Sequence, residues 1–514
     1  MQTKLFCQAV LIAATCASSA LAQNTVTERP LSAIDWLDSI PQSAPIQLAP
    51  DEPKVSKGAT LPDVTVTTLD GPTAQIIGLV PSTVSGLPAN LWAKSDAAML
   101  AQTLANMPTL TLPAAQATLF TLLLAVADPA SGKAAEFDLA RVDALVKAGA
   151  LDPALALIEQ IGPSKNPAIA QRFIDSSLLN ETETASCALI NATPFLAPDF
   201  AYRIFCAARS GDWNTAALLF GTARTLGTVT PDQAAVLERF LDPDLFEGDA
   251  PLPRPTTPSP LLFRMHEALG QPITTRSWPL AYANADLRDI AGWKTQIEGA
   301  ERLAQSGALP ANRLLGIYSQ RSPAASGGIW DHVAAVQRFE TALNTRSAAA
   351  IAKTMPTAWS LMQAANLSAP FATLFAESVL KTELPPQVHD DALNIIQYSS
   401  LYESAAATFP DAADRHPFRT AVALGDVSAI NADSPLKIAI KRGFSSDSAD
   451  PTLLQQAKNS ELGHALLNTL TMLQSGSDGD MGQLSAALGT LRALGLEDMA
   501  RRAALQILIE TPAR

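Results

Sequence analysis

Charged side chains are scarce in this chain, at 17% of residues, and the scarcity is uneven. Lys and Arg number 36 against 49 Asp and Glu, a formal net charge of −13. A partner with a phosphate backbone needs a basic face to neutralise it, so nucleic acid is excluded as an expected partner. Aromatics are sparse too, at 6%, and the 47% hydrophobic fraction rests largely on Ala and Leu. That mixture is too apolar for a wholly disordered protein and favours helices over sheets. Beyond the N-terminus, long apolar runs are missing. The longest, at 114–127, is interrupted by Gln116 and falls short of the ~20 residues a membrane helix needs. It reads as a buried helix. The five histidines, His266, His332, His389, His416 and His464, are dispersed. Without paired His or a Cys set no usual zinc site is expected, and no cofactor motif is present.

The first 22 residues read as a secretory leader. Lys4 supplies the positive start, residues 5–17 are apolar, and Ala20-Leu21-Ala22 is a small-x-small cleavage site. Cleavage between Ala22 and Gln23 is expected, and the pattern points to export into the periplasm. Cys16 lacks the preceding Leu and small residue of a lipidation site. Removing the leader takes away Cys7, Cys16 and one positive charge. Cys187 and Cys206 remain, and an even pair in an oxidising compartment is expected to form one disulfide.

The order of segments predicts an all-α protein with a short extended or β-hairpin segment near its start. Residues 23–62 form a Pro/Ser/Thr-rich head. Within it Leu31, Ile34, Leu37 and Ile40 make one apolar stripe between Pro30 and Pro41. This motif either folds back onto the body or docks in a partner's groove. Residues 63–90 hold an alternating β-branched stretch at 64–69, the turn Asp70-Gly71-Pro72 and a second apolar stretch at 76–80, the pattern of a small hairpin. Helical periodicity marks 91–106, 112–127, 139–148 and 154–161 within an N-terminal array, 91–242. A linker at 243–260, whose prolines exclude helix and strand interiors, reads as the main domain boundary. A middle helical region at 261–430 and a C-terminal one at 431–514 follow.

Several turns repeat one design. In the stretch 207–223, Gly211 ends a helix, Trp213 follows, and Ala216 and Ala223 stand where a second helix must approach the first. The stretch 149–161 has the same spacing from Gly149, Gly495 keeps part of it, and Gly307 and Gly425 keep the turn. These stretches resemble the second half of tetratricopeptide repeats, without their regular period. The resemblance implies an α-solenoid, a superhelical array of degenerate helical hairpins with a concave binding surface. Cys187 and Cys206 would staple one hairpin, on successive helices joined near 194–198. The stretch 239–248, Gly292-Trp293-Lys294, the stretch 312–316 and the stretch 325–331 also resemble exported, Ala-rich helical proteins of Gram-negative bacteria, and that resemblance implies no established activity.

No catalytic constellation emerges. There is no nucleophile elbow, phosphate loop or dinucleotide fingerprint. Ser434-Pro-Leu-Lys437 matches a serine–lysine tetrapeptide but lacks its companion motifs. Glu377-Ser378 and Glu403-Ser404 look like the catalytic pair of lytic transglycosylases, yet the Ser360-Leu-Met-Gln363 stretch precedes both, the wrong order. The best candidate surface lies between residues 278 and 330, which hold three of the seven tryptophans and two of the five tyrosines. Trp278, Tyr282, Trp293, Tyr318 and Trp330 interleave there with Arg288, Arg313, Arg321 and Asp331. Aromatics with Arg are typical interface anchors, and Ser326-Gly327-Gly328 would open a helix with free N–H groups for an anion. The competing reading places the aromatics in the core and makes Ser326 or Asp331 a cap. The expectation is a non-catalytic periplasmic scaffold or adaptor for another envelope protein. The alternatives are an accessory of peptidoglycan or glycan metabolism, with glycan on the Trp/Tyr surface, and an enzyme of dispersed carboxylates.

Overall fold

The computed structural model describes residues 75–511. The cleavage point at Ala22 and Gln23, the motif at 31–40 and the first hairpin arm at 64–69 lie outside the described residues. All described residues belong to one compact unit, Gly71–Arg514. Every regular element in them is a helix, and extended pairing is limited to three isolated bridges.

The expected β-hairpin is therefore corrected. Ile77 and Val80 pair with Ala127 and Ala125, which follow the helix Pro113–Leu124. Buried Arg141, on the helix Ala134–Lys147, explains the pairing. Its guanidinium donates to the carbonyls of Leu123 (2.8 Å), Ile77 (3.2 Å) and Ala125 (3.3 Å). Those carbonyls would otherwise be buried without donors, and a cation at a helix C-terminus is favourable. Gly78 permits the approach, because a Cβ there would stand 2.4 Å from the Ala125 oxygen.

The helices expected from periodicity exist with shifted ends. Asp96 caps Ala97–Asn106 by accepting from the Met99 N–H at 3.0 Å, so residues 91–95 form turns before it. The other three are Pro113–Leu124, Ala134–Lys147 and Leu151–Ile161. Neighbouring helices pair through one recurrent turn. Gly149, Gly211, Gly307, Gly425 and Gly495 all take positive φ, between 75° and 86°. In each case the N–H after the glycine donates five residues back, as from Asp212 to the Ala207 oxygen and from Leu496 to that of Leu491. This is the Schellman closure, which satisfies helix-end carbonyls and reverses the chain. Asp212 then caps the next helix through the Thr215 N–H at 3.1 Å. Ala216 and Ala223 are fully buried against the preceding helix. Cys187, on Glu183–Ala192, is bonded to Cys206, on Phe200–Arg209, across the short helical turn Pro194–Leu196.

The Pro-rich segment 243–260 is a surface connection and separates no two bodies. Its flanking helices, Pro231–Leu241 and Pro260–Ala268, pack on each other. Chain order and core membership also diverge. The largest core joins residues of the N-terminal array, among them Leu91, Leu122 and Ile158, to Leu467, Leu488 and Leu505 from the C-terminal region. Helices Leu462–Ser477 and Glu497–Glu510 both pack on Pro113–Leu124.

Candidate functional site

The aromatic stretch of the middle region divides into two buried clusters. Tyr282 is buried and partly buried Trp278 meets it edge-on, with ring centroids 4.8 Å apart; Phe263 lies 5.5 Å from Tyr282. Trp293 is also buried. Its indole N–H donates to the Ile317 oxygen at 2.9 Å, and its ring lies 5.2 Å from that of Trp330, itself partly buried. Tyr318 is 1% exposed and its hydroxyl donates to Glu301 at 2.7 Å. The same carboxylate oxygen lies 3.0 Å from His332 Nδ1 and holds the imidazolium above its usual pKa range. Tyr282, Trp293 and Tyr318 are thus core residues, and the expected aromatic surface is corrected. Tyr282 sits on the 3-10 helix Leu280–Leu287 and shares a core with Phe263, whereas Trp293 and Tyr318 fill the core between the helix Trp293–Gln305 and the helices that follow it.

The polar members scatter. Buried Arg288 makes two bonds to the Glu267 carboxylate, one at 2.7 Å. Arg313 is exposed, 3.4 Å from Asp152, and Arg321 is exposed without an ion pair among the described residues. Asp331 accepts from the Gly327 N–H at 3.0 Å, so the carboxylate already occupies a donor that the anion-binding reading needed. Ser434 is an N-cap, accepting from the Lys437 N–H, while Lys437 pairs with Asp433 at 2.7 Å. Neither is left for a serine–lysine dyad. Glu377 pairs with Lys381 at the surface, and Glu403 with Arg501 at 2.8 Å.

What the fold does assemble nearby is a cleft of about 490 Å³. One wall is the segment 272–276 and the other is a face of the helix Trp293–Gln305, with Arg288 at the base. Thr295, Glu298 and Arg302 recur at helical spacing on that face. Arg276 reaches across to Glu298 at 2.6 Å. Arg302 donates to the Thr275 and Trp278 oxygens at 3.1 and 3.2 Å. The Thr275 hydroxyl donates to Asp286. Gly299 makes room for that carboxyl, since a Cβ there would lie 2.7 Å from the Asp286 Cβ. Desolvation raises the Asp286 pKa to about 6, against the lowering effects of Thr275 and Arg302. Of the cleft's polar residues only Arg288 stood among the sequence candidates. The available signal for the others was the spacing of 295, 298 and 302 beside a Pro-broken stretch.

Compared with family models, with curated proteins and with solved structures, the chain matches none.

Proposed function

We propose that the chain is an exported, non-catalytic scaffold of the bacterial cell envelope, an α-solenoid-like array of helical hairpins that holds another envelope protein in the periplasm. The observation that carries this reading is apolar surface left uncovered. The helix Trp213–Leu226 buries only Ala216, Phe220 and Ala223. Trp213, Leu218 and Leu226 are 51%, 73% and 65% exposed, and Phe195 and Leu245 of the neighbouring connections are exposed as well. Leu218, on the side of this helix opposite buried Ala216 and Ala223, and Leu226 leave large apolar groups open to a partner. The disulfide and the leader pattern support an oxidising destination, and no helix among the described residues is long and apolar enough to cross a membrane.

A photoreactive residue at Leu218, introduced in the producing cell, should yield one discrete protein adduct, and one at exposed Gln455 none. Trp213→Asp combined with Leu218→Asp should abolish the adduct while leaving the melting temperature within a few degrees. Retention on peptidoglycan with no protein adduct would overturn the scaffold reading.

A further inference from the structure

We propose that the cleft between the segment 272–276 and the helix Trp293–Gln305 is a binding site for a neutral carbohydrate of one or two rings. This goes beyond the scaffold reading and concerns a different set of residues.

Four observations converge. The volume, about 490 Å³, falls within the roughly 300–1,000 Å³ of small-molecule sites. The charges that line the cleft are matched internally: Arg276 with Glu298, Arg288 with Glu267, and Arg302 beside Asp286 on the shared Thr275. The lining carries Arg276, Arg288 and Arg302 against Glu267, Asp286 and Glu298, so it offers a charged ligand no net opposite charge, and a neutral ligand needs none. The groups keep unused capacity at close range. Arg276 makes one hydrogen bond with a group that has five N–H donors, and Asp286 accepts through one oxygen only. The exposed hydroxyls of Thr274 and Thr295 add further donors and acceptors. A sugar hydroxyl both donates and accepts, so it can bridge guanidinium and carboxylate without displacing either. Finally, Ile290 stands at the rim 66% exposed, an aliphatic platform for the C–H face of a ring.

Calorimetric titration of the full chain with cellobiose, maltose and N,N′-diacetylchitobiose tests this. At least one should saturate a single site below about 10 mM, the range of weak binding. Arg276→Ala and Asp286→Asn should each weaken that binding about tenfold, the effect of losing one good hydrogen bond to a charged group. Thr295→Trp, which fills the mouth from an exposed position, should abolish it, and circular dichroism melting identifies any variant that has lost its fold. No saturable heat with any of the three sugars overturns the proposal, as does binding that Arg276→Ala and Thr295→Trp both leave unchanged. Either result leaves the Leu218 adduct, and with it the scaffold reading, unaffected.

Discussion

At the scale of single residues, the chain tolerates a few carboxyl groups in poor surroundings. Asp175, on the helix Pro167–Leu179, accepts from the Tyr202 hydroxyl at 2.6 Å, and desolvation raises its pKa to about 6 despite that bond and the nearby Arg172. A carboxyl whose pKa is raised by folding binds its proton more tightly in the folded chain than in the unfolded one. Its favourable contribution is complete below the unfolded value near 3.8 and is lost as pH rises through about 6. A shift of that size corresponds to at most roughly 3 kcal/mol. Asp175→Asn keeps an acceptor for Tyr202 and removes the ionisation. The variant should melt higher than the parent at pH 7, and the difference should close by about pH 4; thermal denaturation across that window checks it. An equal difference at both pH values would show that ionisation of Asp175 is not the cause.

At the scale of elements, the recurrent turn was only half legible. Glycine announces a left-handed residue, because only glycine adopts it without a steric penalty, and the five glycines singled out all do so. Glu181, Asn366 and Ser460 adopt it too, and each is followed by the same five-residue hydrogen bond, as from Glu461 to the Gln456 oxygen. Asn366 carries a mild signal, since Asn visits this conformation more readily than other residues with a Cβ; the side chains of Glu181 and Ser460 declare nothing. The packing of the helices on either side imposes the turn, against a strain of roughly 1 kcal/mol or more. Ser460→Gly should therefore raise stability by ~0.5–1 kcal/mol, and Gly211→Ala, with no atom within 4 Å of its added Cβ, should lower it by about 1 kcal/mol through backbone strain alone. Urea melts of the two variants check the opposite signs. Burial of the middle aromatics was illegible for a related reason. Trp and Tyr serve a core and a binding face equally well, and which one they serve depends on elements such as Leu280–Leu287 that have no strong periodicity.

At the scale of the whole described unit, the decisive contact joins its first helices to its last. The Gly463 N–H donates to the Leu91 oxygen at 3.0 Å, and a Cβ on Gly463 would meet the Trp92 ring at 2.2 Å. Around it Thr103 bonds His464 at 3.1 Å, Gln474 accepts from the Thr111 N–H at 2.8 Å, and buried Gln506 accepts from the Ala114 N–H at 2.9 Å. These contacts come in addition to the nearest-neighbour packing of helical hairpins that a repeat array relies on. Gly463→Ala should lower stability by ~1–3 kcal/mol through overpacking. Hydrogen exchange should then show Ala97–Asn106 and Leu462–Ser477 losing protection together. Loss confined to the second helix would show that the two ends do not fold as one unit.

Local chemistry is written in the sequence: helix caps, glycine turns, the alanines of close helix approach and the spacing of Cys187 and Cys206 each depend on residues near one another in the chain. The sequence also determined the helical class, because Ala and Leu at helical spacing admit little else. Only the tertiary structure decided which faces meet. Burial of Trp293 and Tyr318, the pairing of Ile77 with Ala127, the assembly of the cleft around Asp286 and the seating of Gly463 on Trp92 all depend on how separate elements meet. A helix records in its own residues how wide an apolar face it has, and not which distant face will cover it.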